Sequence, residues 1–324
     1  MDPFGRIIDY LRISVTDRCN ERCLYCMPEG YKGWERQPDH LTAAELIRIV
    51  RAAAGLGFRK FRLTGGEPLV RGDVPDIVRA MTEIPGVESI GLSTNGMKLA
   101  AQAQPLREAG LRTVNVSLDA LDPEIYRRIT GGDVARVLAG IRAAVAAGFE
   151  RVKLNCVLMR GVNERELWPL VLFAAAHGLP LRLIELMPVT TTEVLTERNF
   201  MACGEAMRVL EQRDEMAPQP DRKLGHGPAR YFLLKQTGAL VGFIGALTNQ
   251  HFCDQCNKMR LTADGKVRPC LGNHIEVDLR SALRRGADDT VLRELLETAL
   301  RLKPWEHQFR NQYQPCRPMT AIGG

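Results

Sequence analysis

The sequence predicts an α/β fold built on a parallel sheet. Six short apolar segments, each typical of a buried strand, alternate with amphipathic or alanine-rich segments over residues 11–186. Strand–helix alternation of this kind produces parallel strands joined by right-handed crossovers. We interpret every polar motif as lying just after a predicted strand, at its carboxyl end, where both barrels and doubly wound sheets place their active sites. Periodicity alone leaves these two architectures open.

The elements follow one another at regular spacing. Predicted strands cover 11–16, 61–64, 89–93, 113–118, 152–158 and 181–186. The first helix begins at Thr42, because a threonine followed three residues later by Glu45 forms a capping box, and Gly55 and Gly57 end it. Further helices are predicted near 74–84, 99–109, 133–147, 164–177 and 199–213.

A stretch rich in proline and glycine follows the last of these helices, at 217–221 and 225–228. Such composition favours a break between domains. We therefore predict one domain at 1–224 and a smaller one at 225–324. The second would contain short strands at 230–235 and 240–244, a hairpin near 259–267 and two helices after Glu276.

Charge and hydropathy exclude several functional classes. Lysine and arginine number 44 against 38 aspartates and glutamates, a modest surplus of +6 that suits a small anionic substrate better than nucleic acid. No apolar run approaches the roughly 20 residues that span a bilayer. The N-terminus lacks the apolar core of a secretory signal. We expect a cytoplasmic protein that binds neither membrane nor nucleic acid, whose thiols stay reduced.

Three cysteines lie within eight residues after the first predicted strand, as Cys19, Cys23 and Cys26. The C-x3-C-x2-C spacing is too tight for a ladder of disulfides. A structural zinc site needs four ligands, and this loop has no obvious fourth. Three thiolates can hold three corners of a [4Fe–4S] cube and leave one iron open. The spacing favours the cube, with zinc or a fortuitous cluster as the alternative.

A second group, Cys253, Cys256 and Cys270, lies near the other end of the chain. A turn at 264–265 would return the chain and bring the last cysteine back to the first two. From spacing alone, zinc completed by His251 or His274 is an equally good interpretation. The first cysteine group in the same chain favours a second [4Fe–4S] cube.

Together with Gly65-Gly66-Glu67-Pro68 and the terminal Ile322-Gly323-Gly324, the two cysteine groups resemble the radical S-adenosylmethionine (SAM) superfamily and, within it, the GTP 3′,8-cyclase family. The resemblance covers nearly the whole chain. It implies a partial (β/α)6 barrel and a smaller C-terminal domain with the second cluster. It also implies a lyase that performs the first step of molybdenum cofactor biosynthesis. In the reaction that the resemblance implies, a 5′-deoxyadenosyl radical takes a hydrogen from C3′ of GTP and the resulting carbon radical attacks C8. Reduction of this cyclised radical by one electron, with uptake of a proton, gives (8S)-3′,8-cyclo-7,8-dihydroguanosine 5′-triphosphate.

The resemblance assigns roles to individual residues. The cofactors it implies are SAM and two [4Fe–4S] clusters, held by Cys19, Cys23 and Cys26 and by Cys253, Cys256 and Cys270. The residues implied to contact SAM are Tyr25, Gly66, Ser117 and Met187. Those implied to contact GTP are Arg12, Arg62, Thr94, Lys153, Lys258, Met259 and Arg260. Catalytic roles fall to the first three cysteines and Arg260. A charge inside an apolar strand is costly unless paired, which favours function at the basic positions.

One position departs from the family pattern, which has arginine where this chain has Lys258. Lysine keeps the charge but loses the two-pronged grip of a guanidinium, so we expect weaker or altered contact with GTP. The family's Gly-Gly tail, here Gly323 and Gly324, reaches the active site and supports catalysis. Cys156, Cys203 and Cys316 receive no role.

The partners that the resemblance implies are an electron donor such as flavodoxin or ferredoxin and a companion cyclic pyranopterin monophosphate synthase. Homodimer formation is left open. Two alternatives are a peptide-modifying radical SAM maturase with an auxiliary cluster and a non-catalytic iron–sulfur protein for electron transfer. The first would normally need more cysteines than the three at 253–270, and the second leaves the glycine-rich turn and the strand arginines unexplained.

Overall fold

The computed structural model describes residues 1–27, 39–189, 196, 198–222, 224–311 and 313–323. The strands are β1 (Tyr10–Ser14), β2 (Lys60–Thr64), β3 (Ser89–Thr94), β4 (Thr113–Ser117), β5 (Arg151–Leu158), β6 (Leu181–Glu185), β7 (Met216–Gln219), β8 (Arg230–Leu234), β9 (Leu240–Ile244), β10 (Lys258–Leu261), β11 (Lys266–Arg268) and β12 (Val277–Asp278).

The helices are α1 (Ala43–Gly55), α2 (Val74–Thr82), α3 (Leu99–Glu108), α4 (Pro123–Thr130), α5 (Val134–Ala146), α6 (Leu167–Ala176), α7 (Cys203–Glu211), α8 (Arg280–Arg284), α9 (Asp289–Arg301) and α10 (Met319–Ile322). The capping box predicted at Thr42 and Glu45 is present at the start of α1. Helix α4 was not predicted, although Asp122 caps it and a proline opens it. In the described part of the chain, every helix is too short or too polar to cross a membrane.

Strands β1 to β6 pair in the order of the sequence, each parallel to the next. A doubly wound sheet would reverse its strand order part-way, whereas a barrel winds in one direction. The strand order therefore decides the question that periodicity left open, and the predicted partial (β/α)6 barrel is confirmed.

The C-terminal strands continue this sheet at both edges. Strand β9 pairs in parallel with β6, and β8 and β7 follow it antiparallel. At the other edge β10 pairs in parallel with β1, and β11 and β12 follow antiparallel. Strand β7 precedes the predicted boundary at 224/225 and pairs with β8 beyond it, so the division into two domains stays a proposal.

The alternation of core-facing and interior-facing residues along β1 shows how the sheet positions the site. Leu11 and Ile13 are almost fully buried in the main apolar core. Tyr10, Arg12 and Ser14 alternate with them and therefore face the other side of the sheet, the barrel interior. The barrel thus has an apolar layer outside and a polar row inside.

Candidate active site

Basic side chains from adjacent strands lie level with one another on the inner face of the barrel. In the strand register, Arg12 of β1 is opposite Arg62 of β2 on one side and Arg260 of β10 on the other. Arg62 is buried and donates hydrogen bonds to the Tyr10 hydroxyl at 2.6 Å and to the Leu92 carbonyl at 2.6 Å. Its guanidinium is therefore held in one orientation.

Two more basic side chains lie further around the barrel, Lys153 on β5 and Arg182 on β6. Burial and the neighbouring charges of Arg182 and Arg62 together lower the pKa of Lys153 to about 6, so its amine is mostly neutral at pH 7 and would take up a proton when an anion binds beside it. Burial also lowers the pKa of Arg182 to about 10, and its Nε has no hydrogen-bond partner among the described residues. Crowded, buried positive charge of this kind suits a multiply charged anion.

Strand β10 divides its three predicted GTP residues between its two faces. Lys258 and Arg260 share the inner face, where burial lowers the pKa of Arg260 to about 9. The Lys258 ammonium donates to the Asn257 side chain at 2.8 Å and lies 5.5 Å from the ring centre of Tyr10. The side chain of Met259 instead packs fully buried in the main core, so the structure does not bring it to the basic row.

The first cysteine group follows β1 as a partly buried loop. Burial raises the pKa of Cys23 and raises that of Cys26 to about 12, and each of the three thiols is close enough to influence another. The hydroxyl of Tyr25 donates to Asp119 beyond the end of β4 at 2.7 Å. This bond ties the loop to the carboxyl end of the sheet.

The Gly-Gly-Glu-Pro turn packs backbone to backbone against the same loop. The Gly66 amide donates to the Thr16 carbonyl at 2.8 Å, and a side chain at Gly66 would place its Cβ 2.3 Å from the Arg18 carbonyl oxygen. Only glycine fits there. The carboxylate of Glu67 accepts from the Thr94 hydroxyl at 2.7 Å and from the Asn95 amide at 2.7 Å, so it shapes the turn.

Three further predicted positions lie at or just beyond the carboxyl ends of β3, β4 and β6. The hydroxyl of Thr94 is already engaged with Glu67, and its contact with GTP stays a prediction. Ser117 ends β4 half-buried at the loop side of the barrel. Met187 lies just after β6 and packs against a small second core of Val189, Phe309 and Tyr313. Both remain predicted SAM contacts.

The second cysteine group is also brought together. Cys253 and Cys256 are joined through a turn in which the Cys256 amide donates to the Cys253 carbonyl at 3.0 Å, and the charges of Cys253, Cys256 and Cys270 influence one another. The histidines that could have completed a zinc site have other partners. His251 bonds to Asp254 at 2.9 Å, and His274 contacts the Cys316 sulfur at 3.2 Å.

The donor chemistry of both groups fits iron–sulfur clusters. In the part of the chain that the structure describes, no three His, Cys, Asp or Glu side chains surround a single ion position. A [4Fe–4S] cube binds each thiolate at a different iron, so its cysteines stand further apart than ligands around one zinc ion. Each of the two cysteine groups brings three thiols near one another without surrounding a single ion position, which matches that requirement.

Comparison with known proteins decides the family. The sequence model of the family described as Radical SAM superfamily matches residues 13–174. The model of the family described as Molybdenum Cofactor Synthesis C matches residues 179–309. The protein named GTP 3′,8-cyclase in Moorella thermoacetica is 45% identical, with 100% of this chain and 99% of the relative covered. Its namesake in Pelotomaculum thermopropionicum is 42% identical at the same coverage. This chain belongs to the GTP 3′,8-cyclase family of radical SAM proteins.

Solved structures agree on the fold. The crystal structure of Streptococcus suis SuiB bound to precursor peptide SuiA matches with a TM-score of 0.63 at 16% identity, covering 89% of this chain and 67% of that one. SuiB bound to S-adenosylmethionine matches with a TM-score of 0.61 at 16% identity, covering 89% and 68%. Family membership confirms the prediction of SAM and [4Fe–4S] clusters as cofactors.

The structure also adds residues that the sequence analysis missed. Arg182 belongs to the basic row. The sequence could have indicated this, because an arginine between two leucines inside a predicted strand is a charge in an apolar segment. The segment at 225–228, which the composition marked as part of a domain boundary, lies against the barrel interior. A Cβ on Gly225 would be 3.0 Å from the Lys153 ammonium, and the ring centre of His226 lies 5.9 Å from that of Tyr10.

This segment helps to form a cavity of about 290 Å³ at the amino ends of the strands. The cavity is lined by Tyr10, Lys60, Phe61, Arg62, Glu88, Ser89, Gly91, Arg112, Thr113, Glu150, Arg151, Lys153, Gly225 and His226. Burial and the surrounding cations lower the pKa of His226 to about 4, so its imidazole is neutral at pH 7. The neutral ring adds no further positive charge to the basic row.

Proposed function

We propose that this protein is a GTP 3′,8-cyclase that converts GTP to (8S)-3′,8-cyclo-7,8-dihydroguanosine 5′-triphosphate in molybdenum cofactor biosynthesis. The observation that carries the proposal is the row of buried and half-buried basic side chains inside a barrel flanked by two three-cysteine groups. Family membership supplies the reaction, and the charge of the barrel interior suits a nucleoside triphosphate.

The first group, Cys19, Cys23 and Cys26, would hold the cluster that binds SAM. With SAM bound, this cluster supplies the 5′-deoxyadenosyl radical that begins the reaction. The residues of this chain hold the cysteine loop in position. The loop is fastened through Tyr25 to Asp119, and the backbone of Gly66 packs against it closely enough to leave no room for a side chain.

GTP would lie in the barrel interior with its phosphates among Arg12, Arg62, Lys153, Lys258 and Arg260. A triphosphate carries about four negative charges, which charge-assisted hydrogen bonds from several cations can neutralise. Such bonds contribute about 1.5–3 kcal/mol each when buried. We include Arg182 in this set, because its Nε is buried without a hydrogen-bond partner in the described residues.

The second group, Cys253, Cys256 and Cys270, would hold the second cluster. It follows β9 and flanks β10, which carries Arg260 on the inner face of the barrel beside Arg12. The cluster would therefore border the bound substrate. An iron that lacks a cysteine ligand there offers a position for a polar group of GTP.

Several partner and domain assignments belong to the same proposal. The electron donor would be a flavodoxin or ferredoxin, and the product would pass to a cyclic pyranopterin monophosphate synthase. The protein would work in the cytoplasm, either alone or as a homodimer. The C-terminal unit would begin at 225, although the β7–β8 ladder crosses that point.

The deciding experiment is an anaerobic incubation of iron-reconstituted protein with SAM, dithionite and GTP, read by mass spectrometry. We expect 5′-deoxyadenosine together with a cyclised product of GTP, and neither product from the Cys23→Ala variant. Deoxyadenosine without a GTP product would overturn the substrate assignment in favour of a peptide-modifying maturase. An absence of SAM cleavage in protein that contains both clusters would overturn the catalytic proposal.

A further inference from the structure

A buried lysine lies between the two backbone stretches that carry cysteines of the second group. Lys303 follows α9 and is only 3% exposed. Its ammonium donates hydrogen bonds to the Lys258 carbonyl at 2.8 Å and to the Pro269 carbonyl at 2.7 Å. Lys258 lies two residues after Cys256, and Pro269 immediately precedes Cys270. Lys303 therefore joins both stretches.

This ammonium lacks a counter-charge within the described residues. Its partners there are the two neutral carbonyls, and no carboxylate lies within ion-pair distance. A buried cation that is solvated only by neutral groups is costly. Arg6 offers a contrast, because it donates to the Cys253 carbonyl at 2.9 Å but is paired with Asp2 at 2.7 Å.

The groups able to supply the missing negative charge are the thiols of the second group. The Lys303 ammonium is bonded to the carbonyl of the second residue after Cys256 and to the carbonyl of the residue directly before Cys270, which places it close to both cysteines. A [4Fe–4S] core with three thiolate ligands is negatively charged, and its reduced form is more so.

We propose that Lys303 is the fixed counter-charge and a positioning residue of the second cluster, and that its ammonium favours the reduced form of that cluster. The inference rests on the proposed assignment of Cys253, Cys256 and Cys270 to that cluster. Net charge and nearby dipoles set the reduction potentials of iron–sulfur centres. A buried ammonium acts strongly because little water screens it.

The test separates charge from shape by substitution at one position. Lys303→Gln keeps N–H donors for the two carbonyls and removes the charge, whereas Lys303→Arg keeps the charge. Lys303→Met is a second uncharged variant in case glutamine does not fold. Lys235→Met removes a positive charge from an exposed position on the β8 side of the sheet and serves as the matched control.

Each variant is reconstituted as full-length protein, in the native chain and in a Cys19→Ala/Cys23→Ala/Cys26→Ala background that retains only the second cysteine group. Iron and sulfide content report cluster occupancy, and a redox titration followed by electron paramagnetic resonance reports the potential. We expect a more negative potential, or loss of the second cluster with the fold retained, in the uncharged variants. Lys303→Arg and Lys235→Met should match the unsubstituted protein.

An unchanged potential and occupancy in Lys303→Gln or Lys303→Met would overturn the inference, because hydrogen bonding alone would then account for the lysine. An equal shift in Lys303→Arg would overturn it as well, since shape would then be responsible. If the unsubstituted protein contains iron for one cluster only, the assignment of the second cysteine group fails, and the inference fails with it.

Discussion

The hydroxyl of Tyr25 donates a hydrogen bond to Oδ2 of Asp119 at 2.7 Å. The other carboxylate oxygen of Asp119 accepts from the amide of Val157 on β5 at 2.8 Å. One carboxylate thus connects the first cysteine loop to the fourth and fifth strands, although 94 residues separate the two partners of the first bond. Burial raises the pKa of Asp119 to about 6, so every bond that it accepts matters to its charge.

We expect Tyr25→Phe to slow SAM cleavage while cluster content is retained. The substitution removes a bond to a buried carboxylate, which is worth about 1.5–3 kcal/mol, and leaves the cysteine loop less firmly placed. A decrease of roughly tenfold or more in the initial rate of 5′-deoxyadenosine formation should result. Asp119→Asn retains an acceptor for the phenol and should have the smaller effect. Equal rates in Tyr25→Phe and unsubstituted protein would contradict this role.

The buried carboxyl of Glu21 makes the free energy of unfolding depend on pH. Its carboxyl is buried against the Tyr126 hydroxyl at 2.8 Å, and burial raises its pKa to about 8. Between the unfolded value of about 4.5 and about 8, the native protein binds more protons at this site, so its free energy of unfolding falls as pH rises. Glu21→Gln should therefore gain stability relative to unsubstituted protein between pH 5 and pH 8.

The measurement is urea denaturation of cluster-free protein at several pH values in that range. Glu205→Gln is the control, because the Ala202 amide and Arg160 lower the pKa of this partly exposed carboxyl. Its stability difference from unsubstituted protein should stay constant over the same range. A constant difference for Glu21→Gln as well would contradict the assigned protonation.

Lys258→Arg should bind GTP more tightly. The lysine ammonium is directed to the side chain of Asn257 and the ring of Tyr10, whereas a guanidinium could grip an anionic oxygen pair with two parallel bonds. We expect the dissociation constant for GTP to fall severalfold, as measured by equilibrium dialysis under anaerobic conditions. An unchanged affinity would refute the idea that lysine weakens this contact.

Gly323→Ala should lower cyclisation without loss of iron. The guanidinium of Arg260 donates to the Gly323 carbonyl, and a Cβ there would lie 2.7 Å from the Thr64 methyl group at a φ of +83°. Gly324, the other tail glycine, lies outside the described residues. Gly238→Ala is the control, because it has a φ of +70° and open space around the added Cβ. Normal product formation by Gly323→Ala would contradict a role for the tail.

Much of the fold followed from local patterns. The capping box at Thr42, the six alternating strands and the two cysteine spacings are short-range features, and short-range sterics and hydrogen bonding decide them. The family resemblance rests on the same short motifs. These patterns determined the fold class, the family and the cofactors.

The arrangement of the site depended on contacts that are distant in sequence. Period-two alternation shows which residues share a face, but it does not say which strand lies beside which. Register alone placed Arg12 between Arg62 and Arg260. Alternation could have excluded the side chain of Met259 from that row, but only once β10 was known to pair with β1.

The residues that carry the chemistry could be recognised from local sequence, namely two groups of three thiols, a glycine-rich turn and a set of basic residues in the strands. The contacts that hold these groups in place and offset their charges come from long-range packing. Two examples are the hydrogen bond from Tyr25 to Asp119 and the position of Lys303 near Cys256 and Cys270. Both depend on burial of the charged group. Burial is a property of the whole packed chain, because removing water from a charge requires many distant residues to close around it.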